Sequence, residues 1–156
     1  MISVAVFLVA FVGSLVGALC LLGHGVGQLL PGAERARADR PLRAGAALAG
    51  SVASALCALG LFCVGGAVVS AEDGGTDSAP IIPCRTGDAE RDGLIVDYAV
   101  SYVPLGFECS RNDGTRYLTD DVPGYVNPGI ALFGLAGASG AVLVGYRTEL
   151  RARRAA

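Results

Sequence analysis

The chain is organised as long apolar stretches separated by shorter polar ones. Three stretches carry no charged residue: 1–30, 44–71 and 122–146. A bilayer core about 30 Å thick needs roughly 20 apolar helical residues, and each stretch exceeds that length. Since backbone polar groups cannot remain unpaired in lipid, each stretch is predicted to be a helix. The sequence therefore predicts transmembrane helices over 1–30, 44–71 and 127–146, with a loop at 31–43 and a tail at 147–156.

Turn-forming residues mark the ends of these spans. Pro31 and Gly32 follow the first span and are expected to end its helix. Asn127 and Pro128 open the third, with Asn127 expected as N-cap and Pro128 at the first helical position. Tyr125 and Tyr146, 21 residues apart, bracket this span and are predicted to be its interface anchors.

The first span could instead be a cleaved signal peptide. It lacks the basic residues that begin such a peptide, and its apolar stretch is about twice the usual length. We therefore expect a retained helix.

The segment 72–126 between the second and third spans has the pattern of a small β module. Apolar and polar residues alternate from Leu94 onward, which is typical of a half-buried strand. The residues predicted on its apolar face are Val96, Tyr98, Val100 and Tyr102. A second strand carries Phe107 and Cys109, and residues 115–119 return as a third after a turn at 112–114. This pattern predicts a three-stranded antiparallel meander.

Two cysteines lie outside the spans. Cys84 and Cys109 fall in the β module, and a core made from about 55 residues usually needs a covalent staple. We predict that they form a disulfide. A redox-active pair is the alternative, although no C-x-x-C sequence is present. Cys20, Cys57 and Cys63 lie inside spans and are expected to pack as small apolar residues.

Composition and charge fix the class and the predicted orientation. A mean hydropathy of +0.55 excludes an ordinary soluble domain, and the net charge of −2 excludes a basic nucleic-acid binder. The chain has 12 Arg and no Lys; four arginines lie in 31–43 and four in 147–156, whereas 72–121 has a net charge of −7. Positive flanks remain cytoplasmic, so a cell-membrane protein with its N-terminus outside and its C-terminus inside is predicted.

Small residues four positions apart recur in all three spans. Such spacing lets helices approach closely in lipid, where van der Waals packing replaces the hydrophobic effect. The predicted packing residues are Gly13 and Gly17, Gly50 and Ser54, and Gly137 and Ala141. Their simplest use is packing within a three-helix bundle, and the alternative is contact with a partner or a second copy.

Two residues in the spans are candidates for chemistry. Residues 137–141 (GASGA) resemble the Gly-x-Ser-Gly segment of rhomboid intramembrane proteases, a resemblance that implies Ser139 as nucleophile and His24 as its base. That family has six core helices and a histidine after the serine, whereas here three spans are predicted and His24 comes first. Helix packing for Ser139, and contact of His24 with headgroups or carbonyls at its helix end, are the simpler interpretations. No metal or cofactor is predicted.

The chain also resembles small integral membrane proteins of actinobacteria that have no assigned activity. The resemblance rests on arginine without lysine, on the Tyr98-x-Val100-x-Tyr102 pattern, on the Cys84 and Cys109 pair, and on the VPGYVNP sequence of 122–128. It implies a membrane location.

The predicted architecture is a membrane all-α bundle of three transmembrane helices, with a small disulfide-stapled antiparallel β ectodomain inserted between helices 2 and 3. The function expected from it is non-enzymatic: an accessory or interaction protein that presents an acidic module and contacts the bilayer and a membrane partner. The alternatives are a small channel or transport oligomer and, third, an intramembrane hydrolase or thiol enzyme.

Overall fold

The structure, a computed structural model, describes residues 4–30, 39–72 and 79–155. Its elements are α1 (Val4–Leu29), α2 (Arg40–Glu72), a 3-10 turn (Ile82–Cys84), α3 (Ala89–Asp92), β1 (Ile95–Tyr102), β2 (Leu105–Arg111), β3 (Arg116–Leu118) and α4 (Val126–Ala155). The loop arginines Arg35 and Arg37, the turn at Pro31 and Gly32, and the acids Asp73 and Asp77 lie outside the described residues.

Three of the helices are long and apolar enough to cross a membrane. Among the described residues they are Ala5–Leu29, Arg40–Glu72 and Val126–Arg154. They overlap the spans predicted at 1–30, 44–71 and 127–146. The sheet lies between the second and third of these helices in chain order, as the hydropathy pattern predicts.

Two of the helices extend beyond their apolar stretches. Helix α2 begins at Arg40, and Pro41 lies in its first turn. An N–H in the first turn has no acceptor within the helix, so the missing N–H of proline removes no hydrogen bond there. Helix α4 continues through the basic tail to Ala155. Arginine, glutamate, leucine and alanine are good helix formers, and Glu149 accepts a hydrogen bond from Arg153 one turn later. The polar tail is therefore helical.

The chain divides into two compact units, Met1–Ala58 with Pro128–Ala156, and Leu59–Asn127. We call them the helical unit and the sheet unit. In the helical unit α2 contacts both other helices. The buried Ser51 hydroxyl donates to the Ala18 carbonyl of α1 at 2.9 Å. On the other side, a Cβ added at Gly137 of α4 would lie 3.0 Å from the Gly50 backbone nitrogen.

The sheet unit contains the predicted meander. Its order is β1-β2-β3, with both pairs antiparallel. Gly114 ends the second turn at φ +82°, a left-handed conformation that glycine adopts without a Cβ clash. The turn at 112–114 and the return strand are thus where the sequence predicts them.

The predicted apolar face of β1 is wrong at its first residue. The register shifts between Ile95 and Asp97, and an extra residue in a strand breaks the alternation of faces. Ile95 packs on the core instead of Val96, which is 60% exposed. At the other end Tyr102 lies opposite the buried Leu105, on the face of Tyr98 and Val100, but it is 37% exposed because it lies at the end of the strand.

The predicted disulfide is confirmed and lies in the core of the sheet unit. Cys84 and Cys109 are bonded, with their Cα atoms 5.9 Å apart. Both are buried together with Phe107 and with Ala67 from the second half of α2. The Tyr117 hydroxyl donates to the Cys84 carbonyl at 2.7 Å and so ties β3 to the same point. The thin core is thus closed by a covalent bond and a hydrogen bond.

The expected N-cap role of Asn127 is wrong. Helix α4 begins one residue earlier, at Val126, whose N–H donates to the Pro123 carbonyl. The Asn127 carboxamide pairs instead with Leu105 of β2: Oδ1 accepts from the Leu105 N–H at 2.8 Å, and Nδ2 donates to the Leu105 carbonyl at 2.9 Å. A side-chain amide carries the same donor and acceptor as a peptide group, so Asn127 acts as a strand partner for Leu105.

Candidate functional sites

Asp39 is a buried acid at the start of α2 and joins α2 to α4. Its side chain is only 3% exposed. Arg151 of α4 binds it through two nitrogens, at 2.5 and 3.2 Å, and Arg147 lies 3.9 Å away on the same helix. Two parallel N–H···O bonds are the strongest arrangement of this pair, and they fix the position of the guanidinium.

Further arginines lie on the same ends of α2 and α4. Arg43 donates to the Thr148 hydroxyl at 3.2 Å, and Arg40 donates to the Leu30 carbonyl at 2.7 Å. These acceptors are neutral, so the positive charge of Arg40 and Arg43 is not compensated by them. We call Arg40, Arg43, Arg147 and Arg151 the arginine array. Asp39 is the one acid among the described residues that forms an ion pair with the array.

His24 lies on an exposed part of α1, near its C-terminal end. Its Nε2 is 3.5 Å from Nε2 of Gln28, one turn later. Gln28 is 4% exposed, and its Oε1 has no hydrogen-bond partner among the residues described. This pair is a local contact within α1 and brings no second reactive group to His24.

Ser139 is exposed on α4. Within the described part of the chain it forms no hydrogen bond with His24, whose recorded contact is Gln28. The structure therefore does not bring together the two residues that the rhomboid resemblance pairs.

The predicted packing residues fall into two groups. Gly50 and Gly137 lie at the α2–α4 contact, and a Cβ at Gly17 would lie 3.7 Å from the Ser54 hydroxyl, across the α1–α2 contact. Gly13 has nothing within 4 Å of its Cβ position, and Ala141 is exposed. Gly140 packs on Ala46 instead, where an added Cβ would lie 2.8 Å from the Ala46 Cβ, one position before the exposed Ala141.

The anchors and the span cysteines lie on accessible or half-buried positions. Tyr125 and Tyr146 are 61% and 62% exposed, as residues that contact headgroups must be. Cys20 is exposed, and Cys57 and Cys63 are half-buried. Ser14 donates to the Cys57 sulfur at 3.5 Å, which ties that cysteine to helix packing.

The sheet of the sheet unit is tied to the end of α2 by Tyr98. Its hydroxyl donates to Oε1 of Glu72 at 2.5 Å, and its ring stacks on Phe107 with the ring centres 5.0 Å apart. The hydrogen bond to Glu72, together with partial burial and the nearby negative charge, raises the pKa of Tyr98 to about 12. This tyrosine therefore stays a neutral donor throughout the physiological range.

Asp92 organises the loop that precedes β1. It is 8% exposed and accepts three hydrogen bonds: from the Thr86 N–H, the Thr86 hydroxyl and the Gly87 N–H. The Thr86 bonds, above all the one from its backbone N–H, lower the pKa of Asp92 below the usual 3.8. The carboxylate thus closes the turn at Thr86 and Gly87.

A shallow groove of about 530 Å³ runs beside the second half of α2 in the sheet unit. Its lining combines Phe62, Cys63 and Ser70 with Ile82, Pro83 and Asp121. The Asp121 carboxylate already accepts a hydrogen bond from the Thr119 hydroxyl. The groove thus contains a thiol, a carboxylate and a hydroxyl, and the Ser70 hydroxyl donates to the Gly66 carbonyl of its own helix at 3.0 Å.

The β1 edge is the most apolar exposed part of the sheet. Val103, in the turn after β1, is 94% exposed, and Val96 and Tyr102 are exposed on the strand itself. In the described chain β1 pairs with β2 alone, so its other edge has no strand partner. We call Val96, Tyr102 and Val103 the exposed edge.

Comparison with protein-family models, curated proteins and solved structures finds no match for the chain. Among the described residues there is also no group of three or more His, Cys, Asp or Glu side chains placed to hold a metal ion.

Sequence reasoning missed the residues that join distant segments. The sequence assigns no role to Asp39, and it predicts Asn127 only as a cap. A charged residue directly before an apolar helix is a recognisable feature, but nothing in the sequence pairs it with Arg151, 112 positions later. The groove and the exposed edge depend on packing and on a bulge, which the alternation pattern did not reveal.

Proposed function

We propose that this chain is a non-enzymatic integral membrane protein of accessory or interaction type. In this proposal it crosses the membrane three times and presents the acidic sheet unit to a partner on the outer side. The exposed edge carries the proposal. A disulfide and a buried aromatic core stabilise the sheet, and the apolar side chains of Val96, Tyr102 and Val103 remain exposed along β1 and its following turn. The edge of β1 away from β2 has no strand partner in the described chain. Protein interfaces gain most of their affinity from a few anchor residues, among which tyrosine is enriched, and Tyr102 is the candidate anchor of this edge.

The orientation is proposed from charge. The arginine array and Arg153 and Arg154 lie at one end of the long helices, and the segment 72–121 has a net charge of −7. Short positive flanks stay on the cytoplasmic side, which puts the sheet unit outside and the C-terminal end of α4 inside. An oxidising outer compartment also suits the disulfide.

The interaction is tested by photo-crosslinking in intact membranes. A photoreactive residue replaces Val103 in one variant and Thr115, in the turn before β3, in the matched control. We expect a discrete adduct from position 103 that disappears when Val96 is also changed to Ser, and no such adduct from position 115. Two differently tagged copies reveal whether the adduct is a second copy of this chain, the outcome that favours an oligomer. Equal labelling from both positions, or none, contradicts the proposal.

The orientation is tested separately by cysteine labelling. A membrane-impermeant maleimide should modify Thr115→Cys in intact cells, and Glu149→Cys only after permeabilisation. The parent chain without either substitution reports labelling of its own cysteines. The reverse pattern would show the opposite orientation and leave the crosslinking result unaffected.

A further inference from the structure

The arginine array lies at the level where the apolar parts of two helices end. Arg43 directly precedes the charge-free stretch 44–71 of α2, and Arg147 directly follows the charge-free stretch that ends at Tyr146 of α4. In a helix that crosses a membrane, residues at such boundaries meet the lipid headgroups. The array therefore faces phosphate groups rather than bulk water or the hydrocarbon core.

The array is held in place and is only partly neutralised. Asp39 fixes Arg151 through two bonds and attracts Arg147, and Arg43 is bound to Thr148 of the same helix. Among the described residues, one carboxylate thus contacts two of the four guanidinium groups, and the other two bind neutral acceptors. Arg147 and Arg151 remain 54% and 49% exposed, so donor groups of both stay accessible. A guanidinium has five N–H donors, and its planar geometry suits phosphate oxygens.

The surface next to the array suits acyl chains. Within two turns before Arg147, α4 exposes Val142, Leu143 and Tyr146, which are 70%, 49% and 62% exposed. An anionic headgroup at the array would place its acyl chains along this apolar surface. A free phosphate ion would use the arginines alone and gain nothing from these side chains.

We propose that the arginine array is a binding site for the phosphate headgroup of an anionic phospholipid in the leaflet at that end of the helices. Basic clusters between transmembrane helices bind such headgroups, and each arginine near an anionic surface contributes about a fivefold gain in affinity. The proposal requires that the three helices span the bilayer, but not that the sheet unit has a partner.

Native mass spectrometry of the full chain in detergent tests the site. Phosphatidylglycerol or phosphatidylcholine is added at equal concentration, and bound lipid is counted. We expect phosphatidylglycerol to be retained preferentially and its apparent affinity to fall about fivefold in Arg43→Gln. Arg43→Lys, which keeps the charge, should retain most of the binding. The matched control is Arg116→Gln, because Arg116 lies on β3 and pairs with Glu108; it should bind as the parent does.

Three results overturn the proposal: equal retention of the two lipids, unchanged binding in Arg43→Gln, or an equal loss in Arg116→Gln. Displacement of phosphatidylglycerol by inorganic phosphate at matched concentration would show a site for a free anion and overturn the lipid assignment. Circular dichroism checks that each variant is folded, and Arg147→Gln replaces Arg43→Gln if that variant does not fold. Failure of this test leaves the crosslinking and labelling results standing, so the two proposals fail separately.

Discussion

At the scale of single residues, the side chains that matter most are polar groups whose partners lie in another element. Asn127 pairs with a strand that begins 22 positions earlier, and Tyr98 reaches back 26 positions to Glu72. Asn127 satisfies the peptide groups of the buried Leu105, and a buried polar group without a partner costs about 1–3 kcal/mol. The Tyr98–Glu72 bond is exposed and joins β1 to the end of α2. Each of these side chains joins two elements through a hydrogen bond and so fixes how those elements lie against each other.

Asp92 makes the sheet unit sensitive to acid. Its pKa is lower in the folded chain than the usual 3.8, because Thr86 and Gly87 donate to the carboxylate. Because its pKa is lower in the folded state, Asp92 stabilises the fold at any pH above its pKa in the unfolded chain. This contribution is lost as the pH falls through its pKa in the folded chain. We expect the unfolding temperature of the sheet unit, followed by the near-ultraviolet circular dichroism of its tyrosines, to fall below about pH 4.

The variant Asp92→Asn isolates this effect. It should be less stable than the parent at neutral pH and should lose part of the acid dependence, since an amide neither titrates nor accepts hydrogen bonds as a charged group does. Asp120→Asn, at an exposed aspartate of the same unit, is the control. Its unfolding temperature should depend on pH as that of the parent does. An acid dependence identical in Asp92→Asn and the parent would rule out this role.

At the scale of elements, helix α4 contacts α2 through glycine rather than through large side chains. A Cβ at Gly137 would lie 3.0 Å from the Gly50 nitrogen and 3.1 Å from the Ala46 carbonyl oxygen. Backbone atoms cannot move aside as a flexible side chain can, so the helices themselves would have to separate. Close backbone approach of this kind is how helices associate in lipid.

Gly137→Ala should therefore lower the stability of the helical unit by about 1–3 kcal/mol, the usual cost of overpacking. Unfolding by a denaturing detergent in mixed micelles, followed by far-ultraviolet circular dichroism, measures it. Gly145→Ala is the matched control on the same helix, because the described structure has nothing within 4 Å of that Cβ position. If both variants unfold at the same detergent concentration as the parent, the close α2–α4 contact is not what stabilises the unit.

The disulfide contributes a large part of the stability of the small sheet. It links residues 25 positions apart, and a loop of that length corresponds to about 3–4 kcal/mol in the chain-entropy account. We expect the double variant Cys84→Ser and Cys109→Ser to lose the near-ultraviolet signal of its tyrosines at a markedly lower temperature. Cys20→Ser, outside the sheet unit, should leave that transition in place. A transition that did not move in the double variant would mean that the aromatic core alone suffices.

At the scale of the whole molecule, α2 and α4 are joined by charge as well as by packing. The Asp39–Arg151 pair lies beyond the charge-free stretches of α2 and α4 and connects residues 112 positions apart. Since Asp39 is buried and Arg151 half-exposed, the pair is screened less than a surface ion pair and more than a fully buried one.

A double-mutant cycle measures this connection. With Asp39→Asn and Arg151→Gln we expect a coupling free energy of about 1 kcal/mol in the same detergent unfolding experiment. The exposed Glu149–Arg153 pair within α4 serves as the reference cycle and should give about 0.3–0.5 kcal/mol. Equal couplings in the two cycles would show that Asp39 only offsets charge and does not join the helices.

The sequence by itself determined the three apolar helices, the sheet between the second and third, and the cysteine pair. Each depends on a local property: hydropathy over about 20 residues, alternation over a few residues, or two thiols in one polar segment. These properties depend on residues that are close together in the chain. They can therefore be predicted from the sequence alone.

Only the tertiary structure decided which residues meet. The bulge at Ile95–Asp97 placed Val96 outside, Asn127 turned from a cap into a strand partner, and Asp39 found Arg151 in another helix. A contact between distant positions depends on how helices rotate and where strands shift by one residue, and no local property fixes either. For this reason the arginine array and the exposed edge could not be predicted from the composition. Both functional proposals depend on how the elements pack.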